Sequence, residues 1–183
     1  MKLSLFSVSY AGLWGQQRLD LPDFLARAAQ LGFEGVMLMG KRPHLSPLDV
    51  SDQSLASLRS ALREHGVKCA VIAAYTDLSG AGAAEVPYLE MQIAYVQTLA
   101  RVARQLDADI IRVFTAYEVE GQSPQAVWDR VVRALREICD RAAAENVTIA
   151  VQNHHDIAVH SDALLELLGD VGRPNCKLGF DAW

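Results

Sequence analysis

Residues 147–156, VTIAVQNHHD, and residues 176–183, CKLGFDAW, are two short apolar runs that each turn abruptly polar at the C-terminal end. Their length and β-branched content are those of buried strands. In parallel α/β architectures the C-terminal ends of the strands carry the ligand site, which makes Gln152 and Asp181 the first functional candidates.

Outward from this pair the chain repeats one grammar: apolar strand, polar turn, amphipathic helix, stop residue, next strand. Strand starts fall near Leu3, Gly35, Lys68, Asp109, Val147 and Cys176, a period of roughly 30–40 residues, as in βα units. The expected strands are 2–10, 35–40, 68–75, 109–117, 147–154 and 176–181. Between them, Asp20 caps a helix with Pro22 in its first turn and Gly32 at its end, and Ser51 or Asp52 opens a second that stops at Gly66. A third helix covers about 87–106. Ser123 and Pro124 start a fourth that runs toward Asn146, and Ser161 caps a fifth that Gly172 and Pro174 terminate. The Gly- and Ala-rich stretch 79–84 is expected to be a mobile loop at the mouth.

Strict βα alternation means a parallel sheet with helices outside it. An eight-stranded barrel competes with an open doubly wound sheet. The segment after the first strand, SYAGLWGQQ, lacks the G-x-G-x-x-G spacing, and no G-x-x-x-x-G-K-[ST] occurs, which weighs against the open sheet. A closed barrel takes about 250 residues. The 183 residues here hold six of eight strands, so the chain is expected to be a single domain lacking the last βα units, or to be completed by a second copy, since its outer strands would have unpaired edges.

Alternation along a strand sorts side chains between the interior and the helix layer. Arg112 shares a face with Ile110, Phe114 and Ala116, Gln152 with Thr148, Ala150 and His154, and Asp181 with Lys177 and Gly179. A charge buried unpaired under an apolar helix layer would cost several kcal/mol, so the polar parity is the barrel interior. His154 has that parity; His155 does not, though strand geometry is giving way there. His44 lies in the Pro-bounded loop after strand two, His65 closes a helix, and His160 precedes one.

The formal charge of −5 is spread without a basic run; Lys41 and Arg42 are the only adjacent basic pair. Nucleic acid and acidic membranes are therefore not expected partners. No stretch approaches the length of a membrane span, and the N-terminal MKLSLFSVSYAGLW breaks into serines too early for a signal peptide. Cys69, Cys139 and Cys176 are far apart in sequence and set in apolar runs, as expected of reduced thiols in a cytoplasmic protein.

With GKRPHLSPLD after strand two, IRVF on strand four, QNHHD on strand five and GFDAW on strand six, the chain resembles the xylose isomerase-like TIM barrels, a superfamily of sugar phosphate isomerases and epimerases and related enzymes. The resemblance implies an α/β fold, an incomplete parallel (β/α) barrel of TIM type. It implies a divalent metal (Mn, Mg, Co or Zn), usually held by acidic residues of strands five and six, a His of strand seven and a Glu of strand eight. Asp181 matches the strand-six ligand, and Gln152 stands where a glutamate is usual. The implied function is metal-dependent isomerisation or epimerisation of a small sugar, sugar phosphate or polyol by proton transfer beside a carbonyl. His154 is then the candidate catalytic base, and His44, Arg112, Asn153 and His155 are candidate substrate contacts. Glutamine can offer a neutral oxygen to a metal but cannot accept a proton, which motivates an alternative: a non-catalytic sugar-binding or regulatory barrel. Phosphodiester cleavage, also found in the superfamily, fits poorly with an acidic chain that lacks a basic groove. The open edges predict a homo-oligomer.

Overall fold

The computed structural model describes residues 2–83 and 85–182. Trp183, and Ala84 of the Gly- and Ala-rich loop, lie outside the described residues. Six strands form one sheet: β1 (Ser4–Phe6), β2 (Gly35–Met39), β3 (Lys68–Ala73), β4 (Ile110–Val113), β5 (Thr148–Gln152) and β6 (Cys176–Gly179). All pair in parallel in the order β1-β2-β3-β4-β5-β6. Five helices alternate with them: α1 (Leu21–Gln30), α2 (Asp52–Glu64), α3 (Tyr88–Gln105), α4 (Pro124–Ala143) and α5 (Ser161–Val171). The result is an arc of a (β/α) barrel.

The helices start where side chains can satisfy their free amides. Asp20 accepts from the Asp23 N–H, Ser51 from the Ser54 N–H and Ser123 from the Ala126 N–H. α5 departs from expectation: His160, not Ser161, is its N-cap, and it makes no side-chain capping bond. Gly32, Gly66 and Gly172 end α1, α2 and α5 with positive φ, and Asn146 does the same after α4.

The main core lies between the outward strand faces and the helices. Val36, Leu38, Ile72, Ile111, Val113, Ile149 and Val151 are fully buried there, against Leu99, Val131, Leu135 and Ile138 of α3 and α4. Arg112, by contrast, occupies the opposite parity, among the rings of Phe6, Tyr75 and Phe114.

The strands are shorter than the apolar runs suggest. β1 stops at Phe6 and the chain enters a 3₁₀ turn, Ser7–Tyr10, where the Ser7 hydroxyl accepts from the Met39 N–H at 2.9 Å. β4 ends at Val113 rather than Tyr117. Beyond it, the Thr76 hydroxyl accepts from the Phe114 N–H and donates to the Phe114 carbonyl at 2.9 and 2.7 Å, standing in for ladder bonds. β5 ends at Gln152 rather than His154 because the Asn153 side chain takes over the pairing with the segment after β6.

Candidate functional site

The C-terminal ends of β4, β5 and β6 bring six of the expected residues together: Arg112, Gln152, Asn153, His154, His155 and Asp181. Gln152 pairs with Gly179 in the β5–β6 register, and two residues further on Asp181 returns to the same side. There Gln152 Nε2 donates to Asp181 Oδ2 at 2.6 Å. Next to this contact, Asn153 Nδ2 donates to the Asp181 carbonyl at 2.8 Å and Asn153 Oδ1 accepts from the Asp181 N–H at 2.7 Å. This two-way amide clasp fixes the backbone that carries the carboxylate, so Asn153 acts on the site through Asp181.

His154 continues the inward parity of Gln152. Its ring lies 4.1 Å from the Phe114 centroid and 3.7 Å from that of His155, and His155 in turn lies 5.9 Å from Tyr117. Burial and the neighbouring His155 push the His154 imidazole below its ordinary value, which favours the neutral form that can accept a proton. Asp156 ends the motif as a loop clamp: Oδ2 accepts from the Thr115 N–H at 2.9 Å and Oδ1 from the Ala158 N–H at 3.0 Å. The five residues QNHHD thus divide into an amide on the carboxylate, a clasp to β6, two imidazoles in tilted contact and a clamp to the β4 loop.

Arg112 forms the floor on the β4 side. It is only 4% exposed, donates through Nη1 to the Ala74 carbonyl at 2.9 Å, and lies 4.0 Å from the Phe114 centroid and 5.0 Å from that of Tyr75. Burial lowers its pKa, while the Tyr75 phenol and the Asp181 carboxylate oppose that shift; a guanidinium nonetheless stays charged.

Two residues not singled out for the site from sequence belong beside it. Lys41 Nζ sits 4.0 Å over the Tyr75 ring. The Tyr95 hydroxyl of α3 fixes both, donating to the Gly40 carbonyl at 2.7 Å and accepting from the Tyr75 N–H at 3.3 Å. The available signal was positional, since Lys41 and Tyr75 lie two residues beyond the ends of β2 and β3, where a barrel of this kind places its site.

His44 stands apart from this group. Its Nδ1 is 3.0 Å from the Ser7 hydroxyl and its Nε2 3.1 Å from the Leu19 carbonyl, and the ring stacks on Phe24. It borders a cleft of about 490 Å³ between α1 and α2, lined by Leu21, Leu45, Leu55 and Leu58. Gln152, Asp181 and Arg112 do not line that cleft.

As donors, the Asp181 carboxylate and the Gln152 amide oxygen suit a hard divalent cation. Among the described residues no group of three or more His, Cys, Asp and Glu converges, so this part of the fold offers two oxygen ligands. Among the same residues no helix is long and apolar enough to cross a membrane.

A family model described as "Xylose isomerase-like TIM barrel" matches residues 25–183. A curated relative, the 3-dehydroshikimate dehydratase of Bacillus anthracis, is 25% identical over 185 residues, covering 99% of this chain and 61% of the relative; the chain therefore spans about three fifths of that protein. Among solved structures, a probable 3-DHS dehydratase from Bacillus anthracis superposes with a TM-score of 0.79 at 24% identity, over 99% of this chain and 63% of the other. The D-psicose 3-epimerase of Clostridium cellulolyticum H10, solved with D-tagatose, gives 0.80 at 18% identity over 99% and 63%. A xylose isomerase-like TIM barrel protein of Mycobacterium smegmatis in complex with magnesium gives 0.67 at 18% identity over 88% and 55%. At these identities the structural likeness concerns the fold.

Proposed function

Because the chain belongs to the xylose isomerase-like TIM barrel family, we propose that the protein is a metal-dependent isomerase or epimerase. Its substrate is a small sugar, sugar phosphate or polyol, and the reaction is proton transfer beside a carbonyl. The observation that carries this reading is the 2.6 Å contact between Gln152 and Asp181 at one rim of the parallel arc. Relatives named as a dehydratase and an epimerase are compatible with it: loss of a proton next to a ketone is a first step common to epimerising a hydroxy ketone and to eliminating water from one.

In this reading Asp181 and Gln152 hold a divalent cation (Mn, Mg, Co or Zn), which when bound supplies polarisation of the substrate oxygens. His154, neutral and facing the mouth, takes the proton, a task the Gln152 amide cannot perform. Asn153 keeps Asp181 in place, Arg112 and His155 contact the substrate, and His44 supports the rim by holding Ser7. The protein works in the cytoplasm, where its three free thiols stay reduced.

The test is exchange of substrate C–H for solvent deuterium, followed by NMR across a panel of aldoses and ketoses with Mn²⁺ present. Wild type is expected to exchange at least one substrate, and Asp181→Ala to lose about 100-fold or more of the rate. Undiminished exchange by Asp181→Ala in metal-free buffer would refute the proposal.

One observation favours a second reading, a sugar-binding barrel without turnover. The Gln152 amide donates to Asp181, so the metal-free carboxylate already has a partner. A glutamate at 152 would instead set two carboxylates side by side, an arrangement that a cation relieves. Gln152→Glu is therefore expected to tighten divalent-metal binding. A variant that gains metal affinity but exchanges no proton on any of the panel would favour the non-catalytic reading.

A further inference from the structure

Resting on the reading of the strand ends as a substrate site, we infer that the ligand carries an anionic group, carboxylate or phosphoryl, received by Arg112 and Lys41 at the ring of Tyr75. Buried charges are normally paired, because an isolated ion in a low-dielectric interior loses its hydration without compensation. Arg112 is 4% exposed, yet the partner at Nη1 is a neutral carbonyl and its Nε is buried without a hydrogen-bond partner. Among the described residues no carboxylate comes within ion-pair distance of it. The rings of Phe6, Tyr75 and Phe114, 4.0 to 5.8 Å away, and the Tyr75 phenol offset part of the desolvation, but these neutral groups leave the positive charge without a counter-ion and the Nε donor without an acceptor. Asp181 is near enough to act on the charge, but its Oδ2 is engaged by Gln152.

The second cation makes the case specific. Lys41 Nζ lies 4.0 Å over the same Tyr75 ring, so two positive charges share one aromatic side chain in a protein of formal charge −5. An anion received at this ring fills the fork of Arg112 and gains the attraction of the Lys41 ammonium. The division of labour matches the two chemistries: a planar guanidinium for bidentate recognition, and a flexible ammonium at the rim for steering and point-charge attraction. A neutral sugar offers hydroxyl acceptors to both groups but leaves their charges uncompensated. The inference therefore narrows the substrate to a sugar acid, a sugar phosphate or a polyhydroxy carboxylate.

The test is equilibrium binding by calorimetry at low ionic strength without added metal, with D-gluconate, glycerol 1-phosphate and D-fructose as probes. At least one anion is expected to bind about tenfold or more tighter than fructose, with an affinity that falls as salt rises. The anion that binds distinguishes a carboxylate site from a phosphoryl site. Lys41→Ala, on an exposed side chain, should weaken the anion about fivefold or more and leave fructose unchanged. Arg112→Lys keeps the charge but loses the fork and should weaken it about tenfold or more. Failure of both anions to bind, fructose binding as tightly as they do, or unchanged anion affinity in Lys41→Ala would each overturn the inference. Failure of the proposed reaction reads differently: anion binding without proton exchange leaves this inference standing, and exchange on neutral ketoses without anion binding refutes it alone.

Discussion

At the scale of single residues, the bonding of His44 suits a neutral ring. Leu19 offers only a carbonyl, so Nε2 is the donor there, and in the neutral ring Nδ1 accepts from the Ser7 hydroxyl, which itself accepts from the Met39 N–H. Burial, the main influence, lowers the pKa of the ring from the ordinary 6.5 and so favours its neutral form in the folded protein. Between the folded and unfolded values the unfolded chain binds more protons. The stabilisation is therefore complete above about pH 6.5 and is lost as pH falls through the folded pKa. Urea denaturation should show wild type less stable at about pH 5.5 than at about pH 8. His44→Gln should cost about 1–3 kcal/mol at the higher pH, for the bonds it breaks, and should show a smaller difference between the two conditions. An equal pH dependence in the variant would contradict the assignment. Nothing in the sequence of the loop 40–49 distinguishes such a residue from one that faces a ligand. Strand alternation, by contrast, made Gln152 and Asp181 legible, because it persists for two residues past the end of β6.

At the scale of elements, capping chemistry and hydrophobic period were readable wherever the signal is local. Asp20, Ser51 and Ser123 each make the expected bond. Strand ends were not readable, because side chains from distant segments replace the ladder: Ser7 at β2, Thr76 at β4 and Asn153 beyond β6. Lys41 was missed as a site residue for the same reason, since its place over Tyr75 depends on the Tyr95 hydroxyl of α3. That junction has no spare volume. A Cβ at Gly40 would come within 2.8 Å of Leu99 Cδ1 and 2.9 Å of the Ala73 carbonyl, and the latter, as backbone bonded to the Gly40 N–H at 2.8 Å, cannot retreat without breaking the β2–β3 register. Gly40→Ala is therefore expected to destabilise by about 1–3 kcal/mol in chemical denaturation. If α3 carries the displacement, Tyr95→Phe should cost less in the Gly40→Ala background than in wild type, because the hydroxyl contact is already disturbed.

At the scale of the whole molecule, the helices cover the outward faces of β2 to β5 and the start of β6, where Cys176 is buried, but leave the C-terminal end of β6 bare. Leu178 on β6 is 45% exposed and Phe180 just beyond it 73%, and the outer edges of β1 and β6 have no strand beside them among the described residues. Exposed apolar side chains next to an unpaired parallel edge are a template for association. The 183-residue chain is expected to self-associate in a concentration-dependent way in sedimentation equilibrium. Phe180 has the opposite parity to Asp181, so a charge there perturbs the bare face while pointing away from the mouth. Burying one phenylalanine is worth about 1.5–3 kcal/mol, and each 1.4 kcal/mol is about tenfold in an association constant. Phe180→Lys should therefore weaken self-association by about tenfold or more, whereas a wild-type chain that stays monomeric at high concentration would mean that the bare face and open edges are tolerated in solution.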